Sequence, residues 1–141
     1  GDIEQPRDPI PHGRECILFI DDEVTLTRLG HTMLERLGYD VVTRTSSIEA
    51  LEAFRVSPQR FDLVITDQTM PQMTGEQLTQ ELRRIRPDIP IILCTGFSHV
   101  MHADKAQALG INAFLMKPLV IDDLGREIRR VLDQRLAKTS T

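Results

Sequence analysis

Asp21 with Asp22, then Asp67, Thr95 and Lys117 each follow or close a short apolar run in this chain. The runs are Cys16-Ile17-Leu18-Phe19-Ile20, Phe61-Asp62-Leu63-Val64-Ile65-Thr66, Ile91-Ile92-Leu93-Cys94 and Ala113-Phe114-Leu115-Met116. If these are parallel strands, their carboxyl ends share one edge of a sheet, where open α/β folds place their chemistry. Three carboxylates, a hydroxyl and an ammonium then meet in one pocket. Left alone, three carboxylates raise one another's pKa by like-charge repulsion. A hard cation relieves that conflict, and Mg²⁺ binds well through one or two carboxylates plus waters and a phosphate. Lys117 adds a compact positive charge that can pair with Asp67 or with an incoming phosphate oxygen. Phosphoryl transfer asks for little beyond such positioning and neutralisation. A carboxylate can itself be the nucleophile, giving an aspartyl phosphate. Spacing alone leaves the attacking aspartate open. Asp67 is favoured because it stands singly after Phe61–Thr66, the third strand along the chain and the one expected at the centre, beside a loop with Thr69, Met70, Pro71 and Gly75.

Strand and helix patterns alternate along the chain in the way such convergence requires. The predicted strands are Cys16–Ile20, Asp40–Thr45, Phe61–Thr66, Ile91–Thr95 and Asn112–Met116. Three are nearly continuous apolar runs, as expected when helices cover both faces. Asp40–Thr45 is more polar and is expected at an edge. Leu26, Leu29, Met33 and Leu37 mark the first helix, closed by Gly38. Ser46 with Glu49, and Thr74 with Gln77, fit capping boxes opening the next two. Leu78, Leu82 and Ile85 form the third stripe, stopped by Pro87. A weaker, Ala-rich stretch from His99 to Leu109 is read as a fourth helix, and Leu124, Ile128 and Val131 mark the last. Five strand–helix pairs with right-handed crossovers make a doubly wound α/β sheet.

The bulk composition narrows the classes further. One domain fits 141 residues, with 40% hydrophobic and 27% charged residues. A net charge of −4, from 17 basic against 21 acidic residues, favours neither nucleic acid nor an anionic membrane. The basic residues Arg126, Arg129, Arg130, Arg135 and Lys138 cluster late, where they complement the last helix's own dipole. Cys16 and Cys94 sit inside apolar runs and read as packing thiols of a reducing compartment. His12, His31, His99 and His102 have no metal-ligand spacing. No run reaches a membrane span and no leader pattern opens the chain, so a cytoplasmic location is expected. The chain starts on Gly1, from which an excised or tagged segment is expected. Residues 1–14, with Pro6, Pro9 and Pro11, read as a linker, 15–136 as the domain and 137–141 as a tail.

Four motifs now stand in order: Asp21-Asp22-Glu23, Asp67-x-x-Met70-Pro71-x-Met73-x-Gly75, Thr95-Gly96, and Gly110-x-x-Ala113-Phe114-Leu115-x-Lys117-Pro118. Each alone is weak, but together, at strand ends over residues 14–136, they resemble the receiver domain of two-component response regulators. The resemblance implies a flavodoxin-like (βα)₅ fold, a parallel five-stranded sheet of order 2-1-3-4-5 with helices on both faces. It implies that Asp67 accepts a phosphoryl group from a phosphohistidine on a histidine kinase or histidine phosphotransfer domain. Asp22, Asp67 and the Thr69 backbone carbonyl would coordinate Mg²⁺ (or Mn²⁺), with Asp21 acting largely through water. Lys117 would bridge to the phosphate, ahead of a typically cis bond to Pro118. Thr95 would turn toward the phosphate, and Phe114 would move inward as the switch aromatic. Phe lacks the hydroxyl of the more usual tyrosine, so its signalling would be steric. The surface of the fourth helix, fifth strand and fifth helix (α4-β5-α5) would change, and it could also form a dimer.

The lead-in Gly13-Arg14-Glu15-Cys16-Ile17-Leu18 and the run Ile92-Leu93-Cys94-Thr95-Gly96-Phe97-Ser98 look like receivers fused behind histidine kinases, implying a hybrid sensor kinase as parent. The chain itself carries no kinase core or DNA-binding module, and would be a phosphoacceptor with at most slow self-dephosphorylation. Two rivals belong to other classes. A haloacid-dehalogenase-like Mg²⁺-dependent phosphatase also uses a strand-end Asp, but wants Asp-x-Asp and usually a cap domain. A pseudo-receiver would act only by docking, yet every acidic, hydroxyl and lysine position is intact. A nucleotide-binding Rossmann role lacks any Gly-x-Gly-x-x-Gly or P-loop lysine.

Overall fold

A computed structural model describes residues 9–96 and 110–139, with side chains to residue 135. Five strands run β1 (Cys16–Ile20), β2 (Asp40–Arg44), β3 (Leu63–Asp67), β4 (Ile91–Thr95) and β5 (Ala113–Met116). Helices α1 (Val24–Arg36), α2 (Ser47–Val56) and α3 (Gly75–Ile85) follow the first three, and a C-terminal helix spans Ile121–Thr139. The sheet is wholly parallel in the order β2-β1-β3-β4-β5, so the polar second strand is an edge and the third is central. The helix expected at His99–Leu109 falls outside the described residues.

Every residue of β1, β3 and β4 is buried. The reason is the two-residue period of a strand, which sends alternate side chains to opposite faces. Leu18, Ile20, Val64 and Leu93 join Phe54, Leu78 and Leu82 under α2 and α3. Ile17, Phe19, Ile65 and Ile92 join Leu34, Leu124 and Ile128 under α1 and the C-terminal helix. Emptying one such position, for example Phe54→Ala, costs about 3–5 kcal/mol. The Thr74–Gln77 capping box is formed in both directions at the start of α3, while Ser46 accepts from the Glu49 amide ahead of α2. Ahead of β1, Ile10 packs against the second cluster and the Gly13 amide donates to the Leu37 carbonyl at 3.0 Å.

Helix α1 departs from its apolar spacing. Its buried residues are Thr27, Gly30, Met33 and Leu34, whereas Leu29 is 47% exposed. Close approach to the sheet selects this face. A Cβ on Gly30 would lie 2.4 Å from the Phe19 ring, so only glycine lets the helix sit there. Strand β3 likewise begins at Leu63 and takes in Asp67, which gives the nucleophile candidate a strand backbone.

Candidate functional site

Register brings the motifs together. Ile20 pairs with Thr66, so Asp21 and Asp67 are the next residues on neighbouring strands, and Asp67 itself pairs with Cys94. Thr95 pairs with Met116, and the Lys117 amide donates to the Thr95 carbonyl at 2.9 Å. Residues separated by up to 96 positions thus reach one sheet edge. Asp21, Asp22 and Asp67 each offer an oxygen within 4.8 Å of the others.

Among the described residues, Lys117 is the cation of this group. Its Nζ lies 2.8 Å from Asp21 Oδ2 and 3.1 Å from Asp67 Oδ2. Asp21 Oδ1 accepts the Glu23 amide at 2.9 Å, so both of its carboxylate oxygens are engaged. Burial pushes the Asp67 carboxyl above the ordinary carboxylate range. Bonds from Lys117 and the Thr69 backbone offset this only in part, and the charge of Asp21 adds to it. Burial alone would lower the Lys117 ammonium, but its bonds to Asp21 and Asp67 hold it above its ordinary value. One lysine is therefore holding two buried carboxylates, while Asp22 stands exposed beside them.

The other predicted residues sit around this core. Thr95 is buried at the end of β4, and Thr69 is exposed in the loop after β3. Phe114, on β5, is half-buried against the α2–α3 cluster. The Lys117–Pro118 bond is cis. Met70 is buried in the same cluster as Phe114, and Met73 packs against it. Cys94 is free, and burial pushes its thiol up to about 12, with the Asp67 charge adding, so it packs rather than reacts.

One supporting residue, Gln68, has no place in the sequence motifs. The Gln68 side chain accepts the Glu76 amide at 2.9 Å, and its carbonyl accepts the Gly75 amide at 3.0 Å, tying the Asp67 loop to α3. Gly75 makes that contact feasible, because a Cβ there would lie 2.4 Å from the Asp67 carbonyl oxygen. The glycine itself was visible as part of a motif, but its reason was not. Beside Asp21 and Lys117 opens a groove of about 320 Å³ lined by Leu26, Leu29, Met33, Pro118 and Leu119.

An all-oxygen set of three carboxylates suits a hard divalent cation, and a cation-held phosphoryl group is the chemistry such an edge can serve. Comparison with known proteins agrees. A family model described as the response regulator receiver domain matches residues 17–129. The probable transcriptional regulator ycf27 of Porphyridium aerugineum is 37% identical over 128 residues, covering 91% of this chain and 52% of that protein. The sensor protein EvgS of Escherichia coli strain K12 is 40% identical over 108 residues, covering 77% of this chain and 9% of that protein. The chain thus spans about half, or far less, of these curated relatives. A response regulator receiver domain protein from Clostridium thermocellum superposes with a TM-score of 0.83 at 32% identity, over 87% of this chain and 98% of that one. With the sheet order, the acidic edge and these matches in agreement, this chain belongs to the response regulator receiver domains of two-component systems.

Proposed function

We propose that Asp67 is the phosphoacceptor of this receiver, taking its phosphoryl group from a phosphohistidine on a histidine kinase or histidine phosphotransfer domain. The observation that carries this reading is the in-register meeting of Asp67 with Asp21, Asp22 and Lys117 at one sheet edge. An Asp67 carboxylate oxygen attacks phosphorus, the new O–P bond forms as the N–P bond breaks, and the leaving imidazole takes up a proton. Asp22, Asp67 and the Thr69 carbonyl would hold Mg²⁺ or Mn²⁺. Asp21, with both oxygens engaged, acts through water. The bound cation would neutralise the phosphoryl oxygens. Lys117, already on Asp67, is poised to follow the charge onto the new phosphate.

In this reading Thr95 turns to the phosphate and Phe114 moves into the space released. The altered surface includes that of β5 and the C-terminal helix, and it is the face for output and for a dimer. The unit is 15–136, flanked by 1–14 and 137–141, and from Ile10 onward the first flank already rests on the fold. The match to a sensor protein over a small share of its length supports a hybrid kinase as parent. No described helix is long and apolar enough to cross a membrane, which fits a relay in the cytoplasm. The acidic balance argues against direct contact with nucleic acid.

Acetyl phosphate with Mg²⁺ is expected to add one phosphoryl group per chain, read by intact mass, and Asp67→Asn to add none. Equal labelling of both proteins would overturn the assignment of Asp67. Continuous turnover of a phosphate monoester would favour a phosphatase, and no labelling at all a pure docking module.

A further inference from the structure

The turn carrying Asp21, Asp22 and Glu23 is braced by a residue outside the motif. Thr27 is buried, and its hydroxyl lies 2.7 Å from the Asp21 carbonyl oxygen and 3.0 Å from that of Glu23. A hydroxyl has one proton to donate. The Glu23 carbonyl already accepts the Thr27 amide at 2.9 Å, as in any helical turn, whereas the shorter contact reaches six residues back across the strand-to-helix turn. That contact has a geometric consequence. The Asp21 carbonyl and the Asp22 amide belong to one planar peptide. Holding the carbonyl oxygen fixes that plane, and the Glu23 amide held by Asp21 Oδ1 fixes the next, so the two together set the direction in which the Asp22 side chain leaves the backbone.

Asp21 has other restraints, since its side chain is held by the Glu23 amide and by Lys117. Asp22 is exposed, so its aim depends on its backbone. We infer that Thr27 is a positioning residue: its buried hydroxyl pins the Asp21–Asp22 peptide and so aims the Asp22 carboxylate at Asp67 as one half of a cation site. The inference rests on the reading of Asp22 and Asp67 as cation ligands. Thr27 touches neither cation nor phosphate and acts only through the backbone it holds.

The test replaces Thr27→Val, which keeps the shape and removes the hydroxyl, alongside Thr27→Ser, which restores it, and Thr27→Ala, a second hydroxyl-free variant should the valine fail to fold. Mg²⁺ binding to each unphosphorylated chain is measured by calorimetry, with thermal midpoints taken in EDTA. Thr27→Val and Thr27→Ala are expected to weaken Mg²⁺ binding about tenfold, the low end for residues that orient metal ligands. Thr27→Ser should lie close to the parent. With acetyl phosphate, the hydroxyl-free variants should need more Mg²⁺ for half-maximal labelling yet reach the same maximum. A lowered midpoint with unchanged Mg²⁺ binding would overturn the inference, leaving Thr27 a helix-packing residue. A parent chain that takes up no Mg²⁺ would remove this inference and the cation reading together. Mg²⁺ binding with continued labelling of Asp67→Asn would remove only the phosphoacceptor assignment.

Discussion

At the carboxyl edge of the sheet one lysine holds two of three aspartates; at the amino edge, charges are matched. There Arg129 holds both oxygens of Glu15, at 2.8 and 3.0 Å, and also reaches Asp133 and the Tyr39 hydroxyl. Arg86, buried, donates to Asp88 and to the carbonyls of Pro58 and Phe61. Arg83 holds the carbonyls of Ile89 and Gly110. Titration follows the contrast. Burial would raise Glu15, but Arg129 and the backbone amides of Glu15 and Arg14 together more than offset it and its carboxyl lies below the ordinary range, whereas Asp67 lies above. One edge uses charge to hold the loops in place. The other keeps an excess of negative charge that the described residues leave unmatched, which is the condition for recruiting a cation and a phosphoryl group.

Removing Lys117 should expose this difference most strongly. Asp21 and Asp67 have side chains only 4% and 7% exposed, so Lys117→Ala leaves two buried carboxylates without their cation. A destabilisation of about 3 kcal/mol is expected in EDTA, read by urea unfolding. Millimolar Mg²⁺ should recover part of it, and labelling by acetyl phosphate should fall by about 10²-fold. A variant as stable as its parent without metal would mean that the carboxyl edge is not strained by its charges.

Gly75→Ala is next in size. The added methyl would press on the Asp67 carbonyl and on Leu93 Cδ1, 2.6 Å away, so a loss of about 2 kcal/mol is expected, together with slowed labelling. Arg129→Ala acts at the other edge. It should cost about 1–2 kcal/mol, because the guanidinium is 17% exposed and forms a two-pronged pair with Glu15, and labelling should stay at the parental rate. A labelling defect in Arg129→Ala would break the division between the two edges.

The acidic edge could be read from the chain because each strand there is an apolar run ending abruptly in a polar residue, and parallel pairing aligns those ends without needing any contact to be known. The caps at Ser46 and Thr74 were legible for a similar reason: their partners are three residues away. The amino edge left no such trace. Glu15 and Arg129 are 114 positions apart, and nothing local to either predicts the other. Helix α1 shows a second kind of failure. Counting apolar residues chose Leu29 for the core, while the sheet took the smaller Thr27 and Gly30, because close approach rewards small side chains over apolar ones. Leu29 instead lines the groove beside the site.

The smallest effect, and the sharpest test of the contrast, is in pH. Asp67 has a folded-state pKa above its unfolded value, so its contribution is fully present below about pH 3.9 and is lost as pH rises through the folded value. Glu15 is shifted the other way. Its contribution is present above about pH 4.3 and is lost as pH falls through the depressed folded value. In EDTA, Asp67→Asn should therefore gain on its parent in stability as pH climbs from 4 toward neutrality. Glu15→Gln should fall behind its parent over the same range and converge with it in acid. Urea midpoints taken across that span for the three proteins decide the matter. Two variants whose differences from the parent move in the same direction would show that the carboxylates of the two edges face equivalent surroundings, and the unmatched charge at the acidic edge could then no longer explain its chemistry.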